Sequence, residues 1–100
     1  MMDSTMYYPE VIQVVPGDRY EVLVYFSDGS IHRYDAESLL EGTVFQALKD
    51  QETFRKALTV MGRTVAWDIG GNRDPGTCID LDPLEIYRTA PAVPEPDWLQ

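Results

Sequence analysis

Tyr20-Glu21-Val22-Leu23-Val24-Tyr25-Phe26-Ser27-Asp28-Gly29-Ser30-Ile31-His32-Arg33-Tyr34 is the stretch that decides the fold. Side chains alternate across a strand, so Tyr20, Val22, Val24 and Phe26 share one face while Glu21, Leu23 and Tyr25 share the other. Asp28-Gly29 supplies the positive φ angles of a tight turn, and Ile31 to Tyr34 then returns as a second strand. The stretch is a β-hairpin with one apolar face, and that face requires a core to cover it.

Upstream, Val11, Ile12, Val14 and Val15 are β-branched and stop at Pro16-Gly17-Asp18, which predicts a first strand and a turn into the hairpin. Downstream, Asp35 is placed to cap a short turn over Ala36 to Glu41, and Gly42 to close it in the left-handed conformation. Thr43-Val44-Phe45-Gln46 fits a capping box in which Gln46 reaches back to the Thr43 amide, opening a short helix to Lys49. Asp50 is placed to cap a further helix whose Phe54, Ala57 and Leu58 form one apolar stripe. From Arg63 to Ile69 the alternation returns, with Val65, Trp67 and Ile69 on a buried face and Thr64, Ala66 and Asp68 opposite. A glycine-rich loop follows over residues 70–76. Cys78 to Leu81 reads as a short strand, and Asp82-Pro83 as an N-cap with proline at the first helical position. The expected fold is α+β, a small antiparallel sheet built on the N-terminal hairpin and covered by two or three short helices. A single domain is expected over residues 9–88. Prolines 91, 94 and 96 mark residues 89–100 as an extended or disordered tail, in which Asp97-Trp98-Leu99 is suited to anchor in a groove of this chain or another.

At 100 residues, with 44% hydrophobic side chains, the chain has material for one real core. Seventeen acidic against eight basic side chains give a net charge of −9. That charge repels nucleic acid and suits a basic protein surface. Arg55 and Lys56 are the only adjacent basic pair, and Glu52 shares their helix, so they read as a solvated face and not as a nucleic-acid contact. Cys78 has no second thiol with which to form a disulfide or share zinc, which points to a reducing cytoplasm. Met1 to Tyr8 lacks the basic-then-apolar pattern of a secretory leader, and no apolar run reaches the length of a membrane helix.

No residue set points to catalysis. His32 stands on the hairpin's second strand without a glycine-flanked serine, so a cross-strand surface role is expected of it. Cys78 between apolar neighbours reads as a small core residue. Asp68, Asp74, Asp80 and Asp82 surround the glycine-rich loop, but their spacing matches no calcium loop, and Asp82 is accounted for as a helix cap. Gly70-Gly71 lacks the lysine and hydroxyl residue of a phosphate loop. The speculative ligand- or partner-binding set is Trp67, Asp68 and Asp80, the indole as an apolar wall and the carboxylates as polar anchors. No cofactor, metal site or catalytic residue is expected.

An ordered set of landmarks resembles a family of small bacterial proteins known as a domain of unknown function. It comprises Pro9-Glu10-Val11, the hairpin through Gly29, Tyr34-Asp35 with Leu39-Leu40, Gly42, Val44-Phe45, Leu48-Lys49-Asp50, Phe54, Val65-Ala66-Trp67, Ile79-Asp80-Leu81-Asp82-Pro83 and Tyr87. The resemblance implies a compact α+β domain, seen alone or ahead of a helix-turn-helix module, and often encoded beside another small protein in what looks like a toxin–antitoxin pair. The chain departs from that pattern in a longer connection over 68–77 and in a proline-rich tail where a second domain would stand. The functional expectation is a noncatalytic protein-interaction module, an antitoxin-like partner of a small basic protein encoded nearby, with no direct nucleic-acid or membrane contact. The alternative is an accessory domain that binds a small ligand or metal near the glycine-rich loop. An open edge strand would in addition pair two copies into a homodimer.

Overall fold

The hairpin strands are β2 (Glu21–Phe26) and β3 (Ile31–Asp35), joined antiparallel with Val24 opposite His32 and Val22 opposite Tyr34. The computed structural model describes residues 9–71 and 79–94. β1 (Val11–Pro16) completes a sheet of order β1-β2-β3, with Val14 opposite Val24 and an irregularity between Val11 and Gln13 that leaves Ile12 62% exposed.

The turn between β2 and β3 is longer than the Asp28-Gly29 signal suggests. Phe26 N donates to Ser30 O, and Gly29 N donates to Phe26 O at 3.0 Å, so three residues form the loop. Gly29 alone is left-handed here, at φ 91°, which is the usual form of a three-residue hairpin loop. Asp28 closes the turn by accepting from both the amide and the hydroxyl of Ser30.

The next segments are 3₁₀ turns, Glu37–Glu41 and Thr43–Lys49. Asp35 does accept the Glu37 amide, at 2.9 Å. Gly42, however, is extended at φ −78°, and its carbonyl already accepts from Phe45 N as the second turn begins. A Cβ there would stand 3.3 Å from the Phe45 ring, so close packing and not a left-handed bend accounts for the glycine. Gln46 donates its side-chain amide to the Leu40 and Gly42 carbonyls, and with no side-chain cap at the start of the second turn the expected capping box is replaced by a link between the two turns.

Helix α1 (Gln51–Ala57) ends one residue before Leu58, which opens β4 (Leu58–Met61). Asp50 accepts the Thr53 hydroxyl and not a helix amide. Gly62 and Arg63, at φ 59° and 63°, make a two-residue turn into β5 (Thr64–Trp67), and β6 (Ile79–Asp80) completes a second sheet of order β4-β5-β6. All four residues of β5 are buried, so the expectation of a single buried face fails there: as the central strand, β5 has both faces covered. Ile69 lies beyond the strand and is 39% exposed. Asp82 accepts the Leu84 amide at 3.0 Å and Pro83 begins α2 (Pro83–Thr89), as its sequence signature indicates.

The core lies between the two sheets and the short helices. Val22, Val24 and Phe26 meet Leu40, Leu48, Phe54, Val65, Trp67 and Ile86. Phe54 sits between Tyr20 and Trp67, with ring centroids 5.3 and 5.4 Å away. The Tyr20 hydroxyl donates to the Lys49 carbonyl and so anchors the second 3₁₀ turn over the hairpin. The sheets adjoin through β1, whose Val11 amide donates to the Arg63 carbonyl. No helix is long and apolar enough to cross a membrane among the described residues.

After α2 the chain lies along β3. Arg33 N donates to Pro91 O, Val93 N donates to Ile31 O, and His32 and Ala92 form an antiparallel bridge. Pro91 serves this contact as an acceptor only, and its missing N–H costs nothing on an outer strand. The β3 edge, where a second copy could pair, is thus occupied by Pro91–Val93.

Candidate functional site

The alternation of β2 and β3 places Glu21, Leu23 and Tyr25, with Ile31, Arg33 and Asp35, on the sheet face turned away from the core. The backbone bonds of Phe26 with Ser30 and of Ala36 with Tyr20 put the even-numbered rungs of β2 in hydrogen-bonded positions. Glu21 and Asp35, directly opposite one another, therefore occupy a non-hydrogen-bonded rung, where side chains approach most closely. Two like charges so placed repel. Among the described residues neither carboxylate has an ion-pair partner, although Arg33 lies on the same face two rungs along.

This pair borders a cleft of about 380 Å³ between the end of β3 and the start of the tail, lined by Glu21, Arg33, Tyr34, Asp35, Ala90 and Pro91 among others. Tyr34 lines this cleft and is half-buried. Burial pushes its pKa above the usual tyrosine value, and the charges of Glu85 and Asp35 push it further in the same direction. The cleft thus carries two carboxylates, Glu21 and Asp35, against the single cation Arg33, and a cationic side chain entering it would relieve their repulsion.

A second depression, of about 450 Å³, adjoins the first and shares Glu21 and Arg33 with it. Leu23, Pro16 and Val93 give it apolar walls, and Arg55 reaches it from α1, donating to the Gly17 carbonyl at 3.0 Å. Leu23 is only 7% exposed although it lies outside the core cluster.

His32 is not the surface residue its sequence context suggests. It is 6% exposed, on the core face opposite Val24. Its Nδ1 lies 2.8 Å from the Ala90 carbonyl, and since a carbonyl only accepts, Nδ1 carries the proton. The ring packs edge-to-face with Phe26 and tilted against Tyr87, at centroid distances of 5.1 and 5.0 Å. Tyr87 in turn donates to Asp28 Oδ2 at 2.7 Å. Hydrogen bonds from the Ser30 hydroxyl, then from Tyr87, hold the Asp28 carboxyl below the usual aspartate value. Together these contacts tie α2 and the tail to the hairpin.

The sequence-derived set of Trp67, Asp68 and Asp80 does not converge on one face. Trp67 is fully buried against Phe54, and its Nε1 has no hydrogen-bond partner among the described residues. Asp68 accepts the Gly71 amide at 3.2 Å. Asp80 is exposed and pairs with Ala66, whereas Trp67 pairs with Ile79, so the carboxylate and the indole point to opposite faces of the sheet. Asp74 and Cys78 lie outside the described residues. Among those described, no group of three or more His, Cys, Asp or Glu side chains is placed to hold a metal ion.

Over the described residues the fold and site thus define a small α+β domain of two three-stranded antiparallel sheets with an acidic cleft at one sheet edge. The chain belongs to the family described as "Protein of unknown function (DUF2442)", which matches residues 11–92 and bears out the resemblance to a domain of unknown function. No curated protein and no solved structure gives a significant match.

Proposed function

We propose that this protein is a noncatalytic interaction module whose acidic cleft receives a basic segment of a small partner protein, in the manner of an antitoxin masking its toxin within a reducing cytoplasm. The observation that carries this reading is the direct opposition of a half-buried Glu21 and an exposed Asp35 beside the cleft. A sheet evolved only for stability would place an opposite charge or a neutral residue at one of the two positions. An arginine or lysine from a partner would bond both carboxylates at once, converting a repulsive rung into a charge-assisted one. The net charge of −9 adds long-range attraction for a basic protein, which speeds encounter more than it tightens the complex.

Co-expression with the product of the neighbouring reading frame tests this. A stable complex is expected, weakened at high salt and lost on Glu21→Lys or Asp35→Lys. Absence of any complex, together with no relief of toxicity, would overturn the reading. So would a complex indifferent to both substitutions.

A further inference from the structure

The described chain leads to Pro94, which lines the 450 Å³ groove, and the sequence continues as Glu95-Pro96-Asp97-Trp98-Leu99-Gln100. The groove differs in charge from the rest of this acidic protein. Arg19, Lys56 and Arg63 are in ion pairs with Glu37, Glu52 and Glu10. Arg33 and Arg55, like Lys49 and Arg88, have no ion-pair partner among the described residues; Arg33 and Arg55 line the groove, where they offset Asp18 and Glu21. An acidic segment is therefore repelled less here than over a surface of net negative charge.

We propose that the groove's occupant is the chain's own segment Glu95–Gln100, with Trp98 and Leu99 against Leu23, Pro16 and Val93 and with Glu95 and Asp97 facing Arg33 and Arg55. The reach suffices. Trp98 is four residues past Pro94, about 13 Å of extended chain at ~3.3 Å per residue. Prolines 94 and 96 restrict the free segment, so less conformational entropy is lost on seating. A tethered segment also acts at an effective concentration on the order of millimolar, so a contact too weak for a separate peptide is occupied within one chain. Tryptophan suits the role, since it has a large apolar ring and only two side-chain torsions to order. This inference stands apart from the partner reading, because the segment seats whether or not a partner exists.

The test is ¹⁹F NMR of the full chain labelled with 5-fluorotryptophan, which has two resonances, assigned through the loss of one in Trp98→Phe. The expected result is a Trp98 resonance displaced from that of the free peptide Glu95–Gln100, with a reduced solvent isotope shift. Reversing both arginines, Arg33→Glu with Arg55→Glu, is expected to move it to the free-peptide position while the Trp67 resonance stays in place as a check on the core. Reversing the segment instead, Glu95→Lys with Asp97→Lys, gives the same release without altering the groove. A Trp98 resonance already at the free-peptide position in the unaltered chain overturns the proposal, as does one that neither pair of reversals moves.

Discussion

Removing one charge from the opposed rung of β2 and β3 should stabilise the protein while it destroys the site. Glu21→Gln is the suitable change, because Asp35 also accepts the Glu37 amide and its loss would confound the result. For two unit charges ~6 Å apart, roughly the spacing of directly opposed side chains, the repulsion in the dielectric of water is ~0.7 kcal/mol, within the ~0.2–1 kcal/mol range of cross-strand pairs. Screening decides how much of it is seen. A Debye length of ~30 Å at 0.01 M salt leaves about 0.6 kcal/mol, whereas ~8 Å at 0.15 M leaves about 0.3 kcal/mol. For a domain of this size 1 kcal/mol shifts the melting midpoint by roughly 4–8 °C. The variant should therefore melt about 2–5 °C higher than the parent at 0.01 M salt and about 1–2 °C higher at 0.15 M. Melts followed by circular dichroism at both salt concentrations measure this, and the pair Glu21→Gln with Asp35→Asn closes a double-mutant cycle. No gain at low salt, or a gain that persists at 0.5 M, would refute the electrostatic account of the rung. The same variant should bind the proposed partner less well, the signature of a site maintained at the expense of stability.

Other outcomes follow from the packing and the caps. Phe54→Ala empties a fully buried site between Tyr20 and Trp67 and should cost about 3–5 kcal/mol, measured by denaturant unfolding, a large part of the stability of a domain this small. Asp82→Ala removes the cap of α2 and should cost ~1 kcal/mol, while Asp82→Asn retains most of it in the same assay. Tyr87→Phe should cost about 0.5–1 kcal/mol at neutral pH by removing the donor to Asp28. Because the folded Asp28 carboxyl titrates below its unfolded value, its contribution is present above the ordinary aspartate range and is lost as pH falls through the folded value. Urea midpoints of Tyr87→Phe and the parent should therefore converge in strong acid, and a gap that widened there would contradict the assignment.

Much of the architecture was legible in the sequence because two signals agreed at once. In the hairpin a period of two coincides with turn residues, and at Asp82-Pro83 the cap residue coincides with the proline that tolerates the first helical position. Strand β4 was not legible. Leu58 falls four residues after Phe54 and so extends the apolar stripe of α1, which makes Leu58-Thr59-Val60-Met61 look like continuing helix. The β-branched Thr59 and Val60 carried the opposing signal. Gly62-Arg63 is also an uncommon pair for a turn with two left-handed residues, and what holds it is the pairing of β4 with β5 on either side. Tertiary pairing there overrides a weak local preference.

The site was missed for one reason, and the same reason accounts for His32. A two-residue Asp28-Gly29 turn would pair Ser27 with Ser30, which places Val24 opposite Arg33 and turns His32 outward beside Tyr25. It would also set Glu21 against Ala36 and Asp35 against Val22, so that no acidic pair forms. The observed three-residue loop pairs Phe26 with Ser30 and shifts every rung by one residue. A shift of one residue exchanges the two faces of a strand. His32 then enters the core, where its ring meets Tyr87 and its Nδ1 holds the tail, and Asp35 turns to face Glu21. The core consequence and the surface consequence are thus inseparable: the register that buries His32 is the one that builds the acidic cleft, and a substitution that restored the shorter turn would be expected to lose both together.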